Sequence, residues 1–137
     1  VYFYESQMSP LGIFDLKLPK DIGCRDVLME HMFHVAVENT KHHNYFTEKL
    51  IDCLVTKTVP VYYGCPNISD YFNTDGIILV DSCSELHNVL SNLSVDDYHD
   101  RKDAIEENLL LAQQYIGFAD RVADKISDMI NTKENIK

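Results

Sequence analysis

Basic residues are scarce in this sequence: 12 lysines and arginines stand against 22 aspartates and glutamates, a formal net charge of −10 over 137 residues. That balance lacks the basic footprint of a nonspecific nucleic-acid or anionic-membrane binder. It leaves room for one small phosphate ligand held by a local cluster, because much of the acid lies in the last third, as in DDYHDRKDAIEEN. Long hydrophobic runs are missing too. None approaches the roughly 20 residues that span a bilayer, and nothing has the layout of a signal peptide, so no membrane insertion and a cytoplasmic location are expected. The 4 cysteines, at positions 24, 53, 65 and 83, form no CxxC pair and no zinc spacing. Cys53 falls in an apolar helical pattern and reads as a buried free thiol. There is no internal repeat and no low-complexity segment.

With 45% hydrophobic and 25% charged residues, the chain suits a single globular domain with one core. Val1 opens inside an apolar run without an initiator Met, as expected of a piece of a longer protein. Residues 1–32 carry the weakest signals. VYFY and GIFDLKLP are candidate strands around the break Ser9-Pro10-Leu11-Gly12, and Asp26 to Met32 is a short candidate helix.

From Phe33 the pattern sharpens. Phe33 to Val37 is a short apolar run, the mark of a strand buried on both faces of a parallel sheet. Asn44 is placed to cap a helix running from about Tyr45 to Lys57. Val59 to Tyr63 forms the next strand, with Pro60 expected at its start and Gly64-Cys65-Pro66 as its exit turn. Gly76 opens a third strand closing at Asp81, and Ser82 or Ser84 caps a helix through about Leu93. Two more helices follow, roughly Val95–Tyr115 and Phe118–Asn131; Ile105, Leu109, Ala112 and Ile116 lie at helical spacing in the first. Alternating strands and helices imply an α/β fold, a Rossmann-like parallel sheet with flanking helices and a helical C-terminal tail.

In open α/β sheets ligands bind beyond the carboxyl ends of the strands. Glu38 and Asn39 stand at one such end, Tyr63 and Gly64 at a second, Asp81 at a third. At about 100° per residue, Tyr45, Glu48, Lys49 and Asp52 fall in one narrow polar stripe of an otherwise apolar helix. A glutamate there simply complements the helix dipole, and both charges have an ordinary reading as solvated surface. A lysine in a first turn opposes that dipole and makes more sense beside a bound anion. At Asp81 a helix-capping role is the favoured reading. Six histidines, among them His42 and His43 in the loop facing the site, offer no third ligand at helpful spacing, so no metal is expected.

The elements Phe33 to Thr40, Tyr45 to Leu50 and Val59 to Gly64 resemble the signature of the α-1,3/4-fucosyltransferases, glycosyltransferase family 10. The correspondence is clearest over residues 33–81; Val37 departs from it, standing where the family usually has an aromatic. The resemblance implies a GT-B architecture of two Rossmann-like domains, of which this chain is the C-terminal, nucleotide-sugar-binding one. It implies inverting transfer from GDP-fucose to a glycan hydroxyl, with no required metal. Carried over by motif, Asn39, Tyr45, Glu48 and Lys49 are the donor-binding residues, and Glu38, Tyr63 and Gly64 are further candidates. A carboxylate such as Glu48 suits a ribose diol, and Lys49 suits the phosphates. The general base is expected on an N-terminal acceptor domain that residues 1–137 do not contain. Arg25 is not equated with the family's diphosphate arginine, which lies farther upstream of the Glu-Asn pair. The chain alone is therefore expected to bind donor weakly and transfer nothing, and its C-terminal helices to pack on the other domain or self-associate. The rival reading is a non-catalytic α/β nucleotide-binding or interaction module that has lost transfer activity. A third keeps the fold with a different nucleotide sugar.

Overall fold

A computed structural model of the chain describes residues 4–5, 16–17 and 29–134. The expected break at Ser9 to Gly12, Cys24, Arg25 and residues 26–28 of the candidate helix lie outside the described residues; of the rest of that helix, Met29 and Glu30 form a 3-10 turn and His31 and Met32 a bend. Of the two early candidate strands, β1 (Tyr4–Glu5) and β2 (Leu16–Lys17) pair in parallel, Tyr4 opposite Leu16.

The main sheet is built from β3 (Phe33–Val37), β4 (Val59–Tyr63) and β5 (Ile78–Leu79), all parallel, in the order β3-β4-β5. Parallel strands need long crossovers, and α1 (Glu48–Val55) supplies the one between β3 and β4. Pro60 is the second residue of the central strand, yet its missing N–H breaks no ladder. Val59 donates its N–H to Met32 on the β3 side, so Pro60 faces the β5 side, where pairing begins only at Val61 opposite Ile78. β5 is shorter than the expected Gly76–Asp81 because a 3-10 turn, Thr74–Gly76, takes its first residue, though Val80 still donates to Tyr62 O at 3.0 Å.

The core lies where α1 covers the sheet. Leu50, Ile51, Cys53 and Leu54 are buried against Ala36, Tyr62, Ile68, Phe72 and Ile77. Full burial of a side chain like Leu50 contributes about 1.5–3 kcal/mol. Phe46 ties the rim together, its ring edge-on to Tyr71, Phe72 and Tyr115 at centroid distances of 5.0, 5.6 and 5.2 Å. Such pairs add about 0.5–1.5 kcal/mol beyond area.

The C-terminal helices depart from expectation in two places. The helix expected over Val95–Tyr115 is broken into α3 (Val95–His99) and α4 (Lys102–Ala112), following α2 (Cys83–Asn92). The break lets the two pieces serve different neighbours. Tyr98 on α3 donates to Lys57 O at 2.9 Å and meets the Phe33 ring, while α4 buries Ala104, Ile105, Asn108 and Ala112. The fully buried Asn108 exchanges two hydrogen bonds of 2.8 Å with the backbone of Asn73. Gly76 makes this possible, since a Cβ there would stand 2.6 Å from Asn108 Nδ2. After α4 a tighter 3-10 turn, Gln113–Tyr115, rotates Ile116 off the Ile105–Ala112 face and leaves it exposed. The last helix, α5, spans Phe118–Glu134.

Candidate functional site

Because the three strands are parallel, their exits open on one edge, and side chains there join them. Glu38 follows β3 directly; its N–H donates to Tyr63 O at 2.8 Å, and the residue is buried. Its carboxylate accepts the Thr47 N–H at 2.8 Å on Oε1 and the Thr47 hydroxyl at 2.9 Å on Oε2. Thr47 in turn is the N-cap of α1, its hydroxyl accepting the Lys49 N–H at 3.3 Å. Lys49 brings its ammonium to 3.7 Å from Glu38 Oε2. A strand end and a helix start are thus fastened by one acid.

Gly64 lets this packing close. A Cβ there would lie 2.3 Å from the Tyr62 hydroxyl and 2.6 Å from Glu38 Cγ, too near for either. The Tyr62 hydroxyl accepts the Cys65 N–H at 3.0 Å. Burial, above all, pushes that phenol up to about 12, and the neighbouring Glu38 and Tyr45 act in the same direction. Burial likewise pushes the Cys53 thiol up to about 12, leaving it a packing group rather than a nucleophile.

At the third exit Asp81 forms an ion pair with Lys41, whose ammonium also lies 5.6 Å from the Tyr63 ring centroid. The Asp81 bond holds Lys41 above its usual lysine range. Asp81 is therefore not the cap expected from sequence. Ser82 caps α2 by accepting the Glu85 N–H, and Glu85 takes the Asp81 N–H at 2.8 Å.

The helix also starts later than expected. Asn44 is not its cap: at φ 61° it sits in the left-handed region, while a cap needs extended backbone. Asn67 and Tyr71 hold it there. Its N–H donates to Asn67 Oδ1 at 2.9 Å, and its Oδ1 accepts both Asn67 Nδ2 and the Tyr71 hydroxyl at 2.8 Å. Tyr45 consequently lies ahead of α1, half-buried, donating its N–H to His42 O at 3.3 Å. Of the sequence candidates, Glu38, Lys49, Tyr63 and Gly64 converge on one cluster, with Tyr45 near its Tyr62 wall. Glu48 opens α1 and, like Asn39, is exposed. Thr47, Lys41 and Tyr62 were absent from the sequence-derived set; only Thr47 had a local signal, a good cap residue directly before Glu-Lys.

Among the described residues no group of three or more His, Cys, Asp and Glu could hold a metal ion, and no helix is long and apolar enough to cross a membrane.

The family profile described as "Glycosyltransferase family 10 (fucosyltransferase) C-term" matches residues 13–104. The chain belongs to glycosyltransferase family 10. Among its curated relatives in sequence, the alpha-(1,3)-fucosyltransferase FucT of Helicobacter pylori is 34% identical over 55 residues, covering 40% of this chain and 12% of that protein. The GDP-fucose protein O-fucosyltransferase 3 of Bos taurus is 36% identical over 77 residues, covering 56% of this chain and 16% of that one. A crystal structure of an alpha1,3-fucosyltransferase with GDP-fucose superposes with a TM-score of 0.52 at 25% identity, over 73% of this chain and 28% of the other. The family 10 chain thus spans only a small part of the relatives it resembles, and its parallel sheet with flanking helices is similar to the C-terminal domain of the GT-B fold of those fucosyltransferases.

Proposed function

We propose that this family 10 chain is the donor-binding part of a fucosyltransferase, holding GDP-fucose at the strand-exit edge for inverting transfer to a glycan hydroxyl. The observation that carries this reading is Lys49. Its ammonium stands at the N-terminus of α1 on a side chain that is 33% exposed, beside the exits of β3 and β4, in a chain whose family profile is that of fucosyltransferases. Helix N-termini attract anions through free N–H groups and the dipole, and a lysine adds a full charge.

In this reading Lys49 binds the diphosphate and neutralises charge growing on GDP as the glycosidic bond breaks. Glu48, exposed at the first position of α1, accepts the ribose hydroxyls. Asn39 and Tyr45 flank the same edge and hold the nucleotide or the sugar, with Tyr63 at the strand exit within reach of the sugar. The acceptor hydroxyl gives its proton to a carboxylate on a separate acceptor domain. The single domain described by residues 29–134 then binds donor without transferring it. Val122, Ile126, Met129 and Ile130, exposed along α5, are the residues that would pack on that domain, or on a second copy in its absence.

Titrating GDP, UDP and CMP side by side into the chain tests the proposal. GDP should bind tightest, and Lys49→Ala should weaken it about tenfold or more, the worth of a charge-assisted contact. No heat at millimolar GDP, together with no effect of Lys49→Ala, would end the donor-site reading and favour a module without transfer chemistry.

A further inference from the structure

Glu38 is an unusual acid for this place. Its side chain has 0% exposure, yet it lies at the edge where a diphosphate is seated in the reading above. Both oxygens are already engaged by Thr47, at 2.8 and 2.9 Å. Lys49 Nζ stands at 3.7 Å, beyond hydrogen-bond reach, with 33% of the lysine side chain exposed. The lysine is held by charge, not by a directed bond. The acid cannot follow it outward, because Thr47 anchors the carboxylate and the close approach of Gly64 backs its Cγ.

We infer that Glu38 is the resident counter-ion of the site: it keeps Lys49 at the strand exit before nucleotide binds, and an incoming diphosphate takes that lysine from it. The inference rests on Lys49 being a phosphate-binding residue. A diphosphate carries more charge than one carboxylate that already accepts two hydrogen bonds from Thr47, so the exchange runs toward the nucleotide. Glu38 stays behind as a buried anion that weakens nucleotide binding and reclaims Lys49 when GDP leaves. It acts through Lys49 and Thr47 and is a positioning residue, not a donor ligand.

Calorimetry of GDP with the 137-residue chain tests this against Glu38→Gln, Lys49→Ala and the double variant, each checked for folding by thermal melting. Gln keeps an acceptor for the Thr47 N–H and a donor toward its hydroxyl while removing the charge. Glu38→Gln should tighten GDP binding about two- to fivefold, the equivalent of a part-exposed ion pair. In the Lys49→Ala background the same change should shift affinity less than twofold. If Lys49→Ala weakens binding but Glu38→Gln weakens it or leaves it unchanged, the counter-ion role is wrong and the donor site stands. Equal tightening in both backgrounds also overturns it, since Glu38 would then act independently of Lys49. If the unmodified chain binds no GDP, the donor-site reading fails first and the inference falls with it. Should Glu38→Gln not fold, Glu38→Asp retracts the carboxylate by one methylene; it should tighten GDP binding too, and unchanged affinity would contradict the role.

Discussion

Between α1 and β4 the core-facing apolar side chains are packed away: Leu50, Cys53, Val59 and Val61 have 0% exposure. Along α5 the same residue classes face outward, with Val122, Ile126, Met129 and Ile130 at 39, 52, 57 and 54%, and α2 buries no residue. Both α1 and α5 have amphipathic sequences. What separates them is a partner: α1 lies on a sheet, and none of the elements in residues 29–134 covers those four residues of α5. Amphipathicity says that a helix has a face to bury, and only tertiary context says whether this stretch of chain buries it. The polar cluster belongs to the packed region. Glu38, Thr47 and Gly64 meet where β3, β4 and the start of α1 pack together.

The contrast can be tested by equivalent truncations. Leu50→Ala should cost about 2–5 kcal/mol in urea unfolding, through lost burial and the cavity left behind. A loss under about 1 kcal/mol would mean that the α1 interface is looser than its burial indicates.

A second, smaller effect concerns alkaline pH. The Tyr62 phenol rises from 10.0 to about 12 and the Cys53 thiol from 9.0 to about 12 on folding. A group whose folded value is raised contributes stability that is whole below its unfolded value and is lost as pH climbs to the folded one. Melting temperature should therefore fall steadily between about pH 9 and 12 by this linkage. Tyr62→Phe should cost about 1–2 kcal/mol at neutral pH, because it orphans the Cys65 N–H, but flatten the decline above pH 10. A parallel decline in the variant would place the alkaline sensitivity elsewhere.

The smallest effect is expected on α5. Ile126→Ser should stay within about 0.5 kcal/mol in the isolated chain. A larger cost that grows with protein concentration would show that copies of the chain cover this face.

These regions also differ in how much could be read in advance. β3, β4, their exits and the Glu48, Lys49 and Asp52 part of the polar stripe were legible because short β-branched runs and helical spacing are local signals; Tyr45, read into the same stripe, lies ahead of α1. So was the placement of Glu38, Tyr63 and Gly64 on one edge, since parallel strands leave no other arrangement. The start of α1 was not. Asn44 and Thr47 are both good cap residues, and the choice is made by Asn67 and Tyr71 in one direction and Glu38 in the other, all distant in sequence. Asp81 was misassigned for the same reason: its partner Lys41 lies 40 residues away, on another loop. The break at Asp100–Arg101 likewise answers to Phe33 and Lys57, which no local pattern in that segment reveals. Family resemblance supplied the proposed roles of Asn39 and Glu48, which helical spacing and strand position alone do not assign.

The central claim is that Lys49, beside the strand exits, binds the diphosphate of a guanine nucleotide. It is tested most directly by calorimetric titration of GDP into the chain and into Lys49→Ala under identical salt. The account predicts measurable GDP binding that weakens about tenfold or more in the variant. Equal affinity in the two proteins, or no binding to either, would contradict it.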